Sequence, residues 1–153
     1  MDNPGTFILK TFEDLSVHEL YQVLRLRSEI FVIEQQCIYL DADNKDQKCH
    51  HLLFFDDGRL AAYTRLVPAG VSFVEISIGR VVVGADFRGK GLARKLMEES
   101  IKQAYRVFGT QPIRIGAQFY LKEFYASLGF EQQTEVYLED DIEHIDMLLP
   151  VTA

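Results

Sequence analysis

The sequence predicts a mixed α/β fold with elements in the order β-α-β-β-β-α-β-α-β-β, about seven strands and three helices. Three observations carry this. Residues 92–108 place Ala93, Leu96, Met97, Ile101, Ala104 and Phe108 on one helical face. Residues 50–55 and 60–67 are apolar runs flanking Asp57-Gly58, a dipeptide that favours a tight hairpin turn. Between hairpin and helix, a β-branched run over 78–83 leads to a glycine-rich basic loop, Arg88-Gly89-Lys90-Gly91, which opens the helix. Strand, glycine loop and helix N-terminus together can hold a phosphate.

At 153 residues, with 48% apolar and 25% charged residues, one domain spanning 1–153 is expected, large enough to fold without disulfide or metal. The net charge of −7 argues against a general nucleic-acid binder and is most simply a solvated acidic surface. Cys37 and Cys49 show neither a CxxC nor a staple pattern, which fits a reduced cytoplasmic compartment. The leading residues lack a basic head and apolar core, so no secretory leader is expected, and no apolar run reaches the ~18 residues of a membrane span.

In order, residues 6–12 read as a first strand. Ser16 and Glu19 form a capping box, with Leu15 as a staple, ahead of a helix over 17–31 whose Arg25 and Arg27 suit the helix dipole. Residues 34–47 lose periodicity and carry Asp41, Asp43 and Asp46. They read as a loop, its acidity weakly suited to a cation, and loops this long in a domain are often functional. After the hairpin, Pro68-Ala69-Gly70 breaks the chain and 72–83 reads as a long central strand. Gly109 stops the long helix. Residues 113–118 form a strand, 121–128 a short helix closed by Gly129, and 130–138 with 144–149 an antiparallel pair around Glu139-Asp140-Asp141.

Three phosphate-binding patterns compete for the glycine loop. Gly84 to Lys90 nearly matches the nucleotide P-loop, but Gly91 stands where a hydroxyl must hold Mg²⁺. Gly89 to Arg94 brushes against GxGxxG, but ends in a bulky Arg with no acidic ribose partner downstream. Arg88-Gly89-Lys90-Gly91-Leu92-Ala93 has the form [QR]xxGx[GA] at all positions and resembles the acetyl-CoA pyrophosphate loop of the GNAT superfamily of N-acetyltransferases. Glycines permit close approach of the backbone to pyrophosphate, and Arg88, Lys90, Arg94 and Lys95 supply local positive charge.

The resemblance covers nearly the whole chain. Phe124-Tyr125-Ala126-Ser127-Leu128-Gly129-Phe130 resembles the superfamily's FYxxxGF motif. Arg27 with Ile30 to Gln35, Ile78-Gly79-Arg80-Val81, Ile115 to Gln118, the pattern Cys37, Tyr39, Asp41, Asp43, Asp46 and His51-Leu52, and Glu139 to Ile145 resemble an ElaA-like group within it. The resemblance implies a mixed, mostly antiparallel sheet with helices on both faces and two splayed central strands. It implies acetyl-CoA as acyl donor and an amine, of a small molecule or a protein, as acceptor, and a homodimer is compatible with it.

In that fold the pantetheine arm pairs with the backbone of Val81, Val82 and Val83, one N–H of which polarises the thioester carbonyl. Leu92, Ala93, Gln118 and Phe124 complete the expected donor contacts. Tyr125, from its place in FYxxxGF, is the expected proton donor to the departing thiolate. An alkyl amine with a pKa near ~10 must lose a proton. Glu34, Glu75 and His144 are the base candidates, with His51 behind them. For Glu34 and Arg27 the competing expectation is a structural ion pair between helix end and loop. Two further readings remain open: an acyl-CoA-binding module without turnover, and transfer of a longer acyl group, as in the distantly similar acyl-homoserine-lactone synthases.

Overall fold

A computed structural model describes residues 5–152; the first four residues, read above for a leader, lie outside them. β1 (Thr6–Thr11) pairs antiparallel with β2 (His50–Asp56), β2 with β3 (Arg59–Val67), and β3 with β4 (Ser77–Val83). β5 (Ile113–Gln118) pairs antiparallel with β8 (Ile142–Leu149), whose other edge takes the short strands β6 (Glu131–Gln132) and β7 (Tyr137–Glu139). The expected mixed, mostly antiparallel architecture is present, with eight strands instead of about seven.

Local chemistry explains most boundaries. α1 (Val17–Arg27) starts at the capping box: Ser16 Oγ accepts from the Glu19 N–H at 3.0 Å, and Glu19 accepts from the Ser16 N–H at 2.8 Å. The expected helix over 17–31 changes character after Arg27 and continues as a π-helical turn, Ser28–Glu34. The Asp57-Gly58 hairpin forms as expected, both residues having positive φ (51° and 77°). Asp140 and Asp141 (50° and 62°) turn β7 into β8 in the same way.

Two expected strands are shorter. The one over 72–83 begins at Ser77, because a local turn, Gly70 N–H to Phe73 O at 2.7 Å, uses up backbone groups ahead of it. The one over 130–138 is interrupted, because Thr134 Oγ1 accepts the Asp146 N–H at 3.0 Å where a backbone carbonyl would continue the ladder. The last helix, α3 (Lys122–Ala126), is preceded by a 3-10 turn and closed by Gly129 at φ 102°.

The core lies on both faces of the sheets. α1 packs Val23, Leu26 and Ile30 against Leu53, Tyr63 and Val82. On the opposite face α2 (Leu92–Phe108) lays Leu96 on Leu52 and Ala62, and Met97 and Ala104 on Ile113, Ile115 and Met147. α2 thus spans both sheets. The sheets themselves join at one parallel bridge, Ile76 to Ile113, with the Arg114 N–H donating to Ile76 O at 3.0 Å. Beyond it β4 and β5 share no pairing among the described residues, so the two strands diverge. Cys37 and Cys49 are buried free thiols. Among the described residues no helix is long and apolar enough to cross a membrane.

Candidate active site

Between β4 and β5 lies an open groove of about 980 Å³. One wall is the free edge of β4. Val82 points toward α1, and Val81 and Val83 toward α2. β3 occupies one edge of β4, so a row of backbone groups on the other edge faces the groove. A bulge in the β3–β4 register between Tyr63 and Arg65 puts Arg80 at φ 51°.

The free edge runs into the glycine loop. Gly84 N–H donates to Ala61 O at 2.8 Å, a 3-10 turn follows at Ala85–Phe87, and Gly89 and Gly91 take φ of 81° and 72°. Gly91 is the N-cap of α2 and has no capping side chain, and the first turn of α2 holds no acidic residue. The first-turn N–H groups of Leu92, Ala93 and Arg94 therefore face outward without a helical partner. A Cβ built on Gly89 or Gly91 meets nothing within 4 Å, so the loop face has room for an anion.

The charged side chains of the loop lie in three different places. Arg88 Nη2 sits 2.7 Å from Glu34 Oε1, tying the loop to the π-helical turn across the groove mouth, both side chains being about half-exposed. Lys90 is exposed and has no ion-pair partner among the described residues. Arg94 turns away toward α3, donating to Ser127 Oγ at 2.5 Å, with Glu98 at 3.5 Å. Across the groove, the Gln118 amide exchanges hydrogen bonds with Gln35 at 3.2 and 3.4 Å.

Tyr125 is buried at 5% exposure between the ring edges of Phe124 and Phe130, and lines the groove. Its hydroxyl has no hydrogen-bond partner among the described residues. Burial pushes its pKa further above the ordinary value, so the group stays protonated.

The base candidates separate. His144 lines the groove, its ring stacked on Tyr137. Its Nδ1 lies 2.7 Å from Ile142 O, and a carbonyl only accepts, so Nδ1 carries the hydrogen. Nε2 then has a free lone pair, with Glu139 Oε2 3.6 Å away. Glu34 also lines the groove, paired with Arg88 as above. Glu75 lies outside it: Arg114 Nε holds its carboxylate at 3.1 Å, a hydrogen bond that lowers its pKa. His51 is buried away from the groove, its Nδ1 2.6 Å from Tyr63 Oη and its Nε2 2.9 Å from Asp46 O. Burial holds it below the usual histidine range.

The acidic loop differs from expectation. Arg27 is fully buried and bonds Asp41 and Asp46 at 2.7 and 2.8 Å, so it does not pair with Glu34. Arg65 grips Asp43 with both terminal nitrogens at 2.8 Å and reaches Asp46 at 2.9 Å. Arg80 adds Asp41 and Asp43 at 2.9 and 3.2 Å. Burial alone would raise the Asp43 pKa, but Arg65 and Arg80 outweigh it and hold the group ionised well below the usual range. These carboxylates are matched by the molecule's own guanidinium groups and do not await a cation. The roles of Arg65 and Arg80 escaped sequence reading; the available signal was a charge inside an apolar run, which marks a buried pair. Among the described residues no group of three or more His, Cys, Asp or Glu side chains is arranged to hold a metal ion.

The chain matches the model of the acetyltransferase (GNAT) domain over residues 14–150. It is 40% identical over 145 residues to a UPF0039 protein of Schizosaccharomyces pombe, covering 94% of this chain and 95% of that one. It is 38% identical over 136 residues to protein ElaA of Escherichia coli, covering 88% of this chain and 89% of that one. Among solved structures it is similar to an acyl-CoA N-acyltransferase from Pseudomonas aeruginosa, with a TM-score of 0.90 and 41% identity, covering 95% of this chain and 99% of that one.

Proposed function

The chain belongs to the GNAT acetyltransferase family, in its ElaA-like group, and from that premise we propose that it transfers an acetyl group from acetyl-CoA to an amine by direct attack on the thioester. The observation that carries the reading is the edge of β4, unpaired among the described residues, which leads through one 3-10 turn into the open glycine loop.

In this mechanism the N–H groups of the glycine loop and the first turn of α2 bind the pyrophosphate, with Arg88 and Lys90 adding charge. The pantetheine amides pair with the backbone at Val81, Val82 and Val83, and one N–H there donates to the thioester oxygen as negative charge develops on it. The neutral amine attacks the carbonyl carbon. As the C–S bond breaks, the thiolate takes the Tyr125 proton. The proton lost by the nitrogen goes to His144 Nε2, whose other nitrogen is fixed as a donor by Ile142 O and which lies 3.6 Å from Glu139 Oε2. Glu34 is the second candidate base. It lines the groove, 2.7 Å from Arg88. The gap between β4 and β5 supports one extended guest. Two free thiols support a cytoplasmic site of action. Homodimer formation belongs to the same reading and is checked by sedimentation at micromolar concentration.

The test is release of CoA thiol from acetyl-CoA across a panel of amines, with longer acyl-CoAs in parallel. Acetyl-CoA is expected to be the best donor. Tyr125→Phe is expected to lower kcat by about 10²-fold or more while acetyl-CoA still binds. Binding of acetyl-CoA with no thiol release by any amine would instead make the chain a binding module, and preference for a longer chain would replace the acetyl donor.

A further inference from the structure

On the acyl-transfer reading, the groove also bears on which amine it accepts. Asp41, Asp43 and Asp46 are matched by Arg27, Arg65 and Arg80. Glu34 is matched by Arg88. Lys45, in the same loop and also lining the groove, has no carboxylate within ion-pairing distance among the described residues. Its Nζ donates to Ser72 Oγ at 3.2 Å. The residue is held in place from its backbone. Its N–H reaches Asp43 Oδ1 at 3.2 Å, and its carbonyl accepts from the Lys48 N–H at 3.0 Å and from the Cys49 thiol at 3.1 Å. Asn44 just before it takes φ 64° to make the turn.

Ser72 lies in the connection that runs from β3 into the amino end of β4, and Lys45 is bonded to it, whereas the thioester is placed toward the carboxyl end of β4 at Val81 to Val83. A half-buried ammonium and a hydroxyl, side by side in a groove of a protein with net charge −7, form a local site for an anion. We propose that the acceptor is an amine bearing a carboxylate at its far end, with that carboxylate bound by Lys45 and Ser72 while the nitrogen meets the thioester. At ~3.3 Å per residue, Ser77 and Val81 are at most about 13 Å apart along the strand, Arg80 between them standing at φ 51°. That separation favours an ω-amino carboxylate with a spacer over an α-amino acid.

The test compares thiol release from acetyl-CoA with 4-aminobutyrate and 6-aminohexanoate, with butylamine and hexylamine, and with alanine. It uses the wild type, Lys45→Met and Lys45→Glu, with acetyl-CoA affinity measured on each. The wild type is expected to favour an ω-amino carboxylate over its matching alkylamine at least tenfold in kcat/KM. Lys45→Met should abolish that preference and Lys45→Glu reverse it, with acetyl-CoA affinity unchanged. Equal or better turnover of the alkylamines by the wild type, a preference that survives Lys45→Glu, or alanine as the best acceptor would overturn the inference and leave acetyl transfer standing. No release with any of these amines, although acetyl-CoA binds, would sink the acyl-transfer reading and this inference with it.

Discussion

Gly91 and Gly129 are both glycines at positive φ, yet they are constrained by different things. Gly129 is crowded, since an added Cβ would lie 3.0 Å from Leu149 Cδ1. Gly91 looks onto open space, so a side chain there costs about 1–2 kcal/mol of backbone strain and no packing. Gly91→Glu should therefore fold, with a melting temperature only a few degrees lower. Its carboxylate would stand where the pyrophosphate is proposed to sit, so calorimetry is expected to show at least tenfold weaker acetyl-CoA binding. Unchanged affinity would remove the loop from the donor site. Gly91, Gly129 and Tyr125 were legible in the sequence because each sits in a short local motif. Arg27 was not. Its partners lie across a loop without periodicity, and the nearer Glu34 offered a plausible but incorrect pairing.

At the scale of elements, the start of α1 could be read and its end could not. The capping box is written in neighbouring residues, whereas the π-helical turn depends on what the turn packs against. The wider turn brings Ile30, Phe31 and Glu34 together on the groove, and such turns often mark functional positions. The Asp41–Asp46 loop is fastened to β3 and β4 by the buried ion network. Removing Arg27 leaves Asp41 and Asp46 short of a partner in the interior. We expect Arg27→Leu to lower unfolding free energy in urea by about 3–5 kcal/mol. A loss below about 1 kcal/mol would mean that Arg65 and Arg80 suffice to balance the loop.

At the scale of the molecule, the network and its histidine set a dependence on pH. His51 is disfavoured as a cation first by burial and then by Arg27 and Arg65. Burial, with Arg106, acts the same way on His50. A histidine whose folded pKa is depressed adds stability above its unfolded pKa of ~6.5, and that stability is lost as pH falls toward the folded value. Asp43 and Asp46, whose pKa values are also depressed, lose their contribution only below about pH 4. Melting temperature should thus fall from pH 7 to pH 5 and fall again below pH 4. His51→Gln should be less stable at pH 7 but show a shallower slope between pH 7 and pH 5; an unchanged slope would exclude His51 as its source. The divergence of the two sheets was not written in periodicity or turn chemistry, because strand pairing is a long-range choice. It followed only from likeness to a family. The unpaired edge it creates also bears on self-association. A row of free amides recruits any extended chain, including that of a misfolded neighbour, and open sheets blunt such edges with charge or proline. Here the edge lies inside a cleft, beside a plain run of valines. A slender guest can slide in, while a second folded sheet is kept out by the opposite wall.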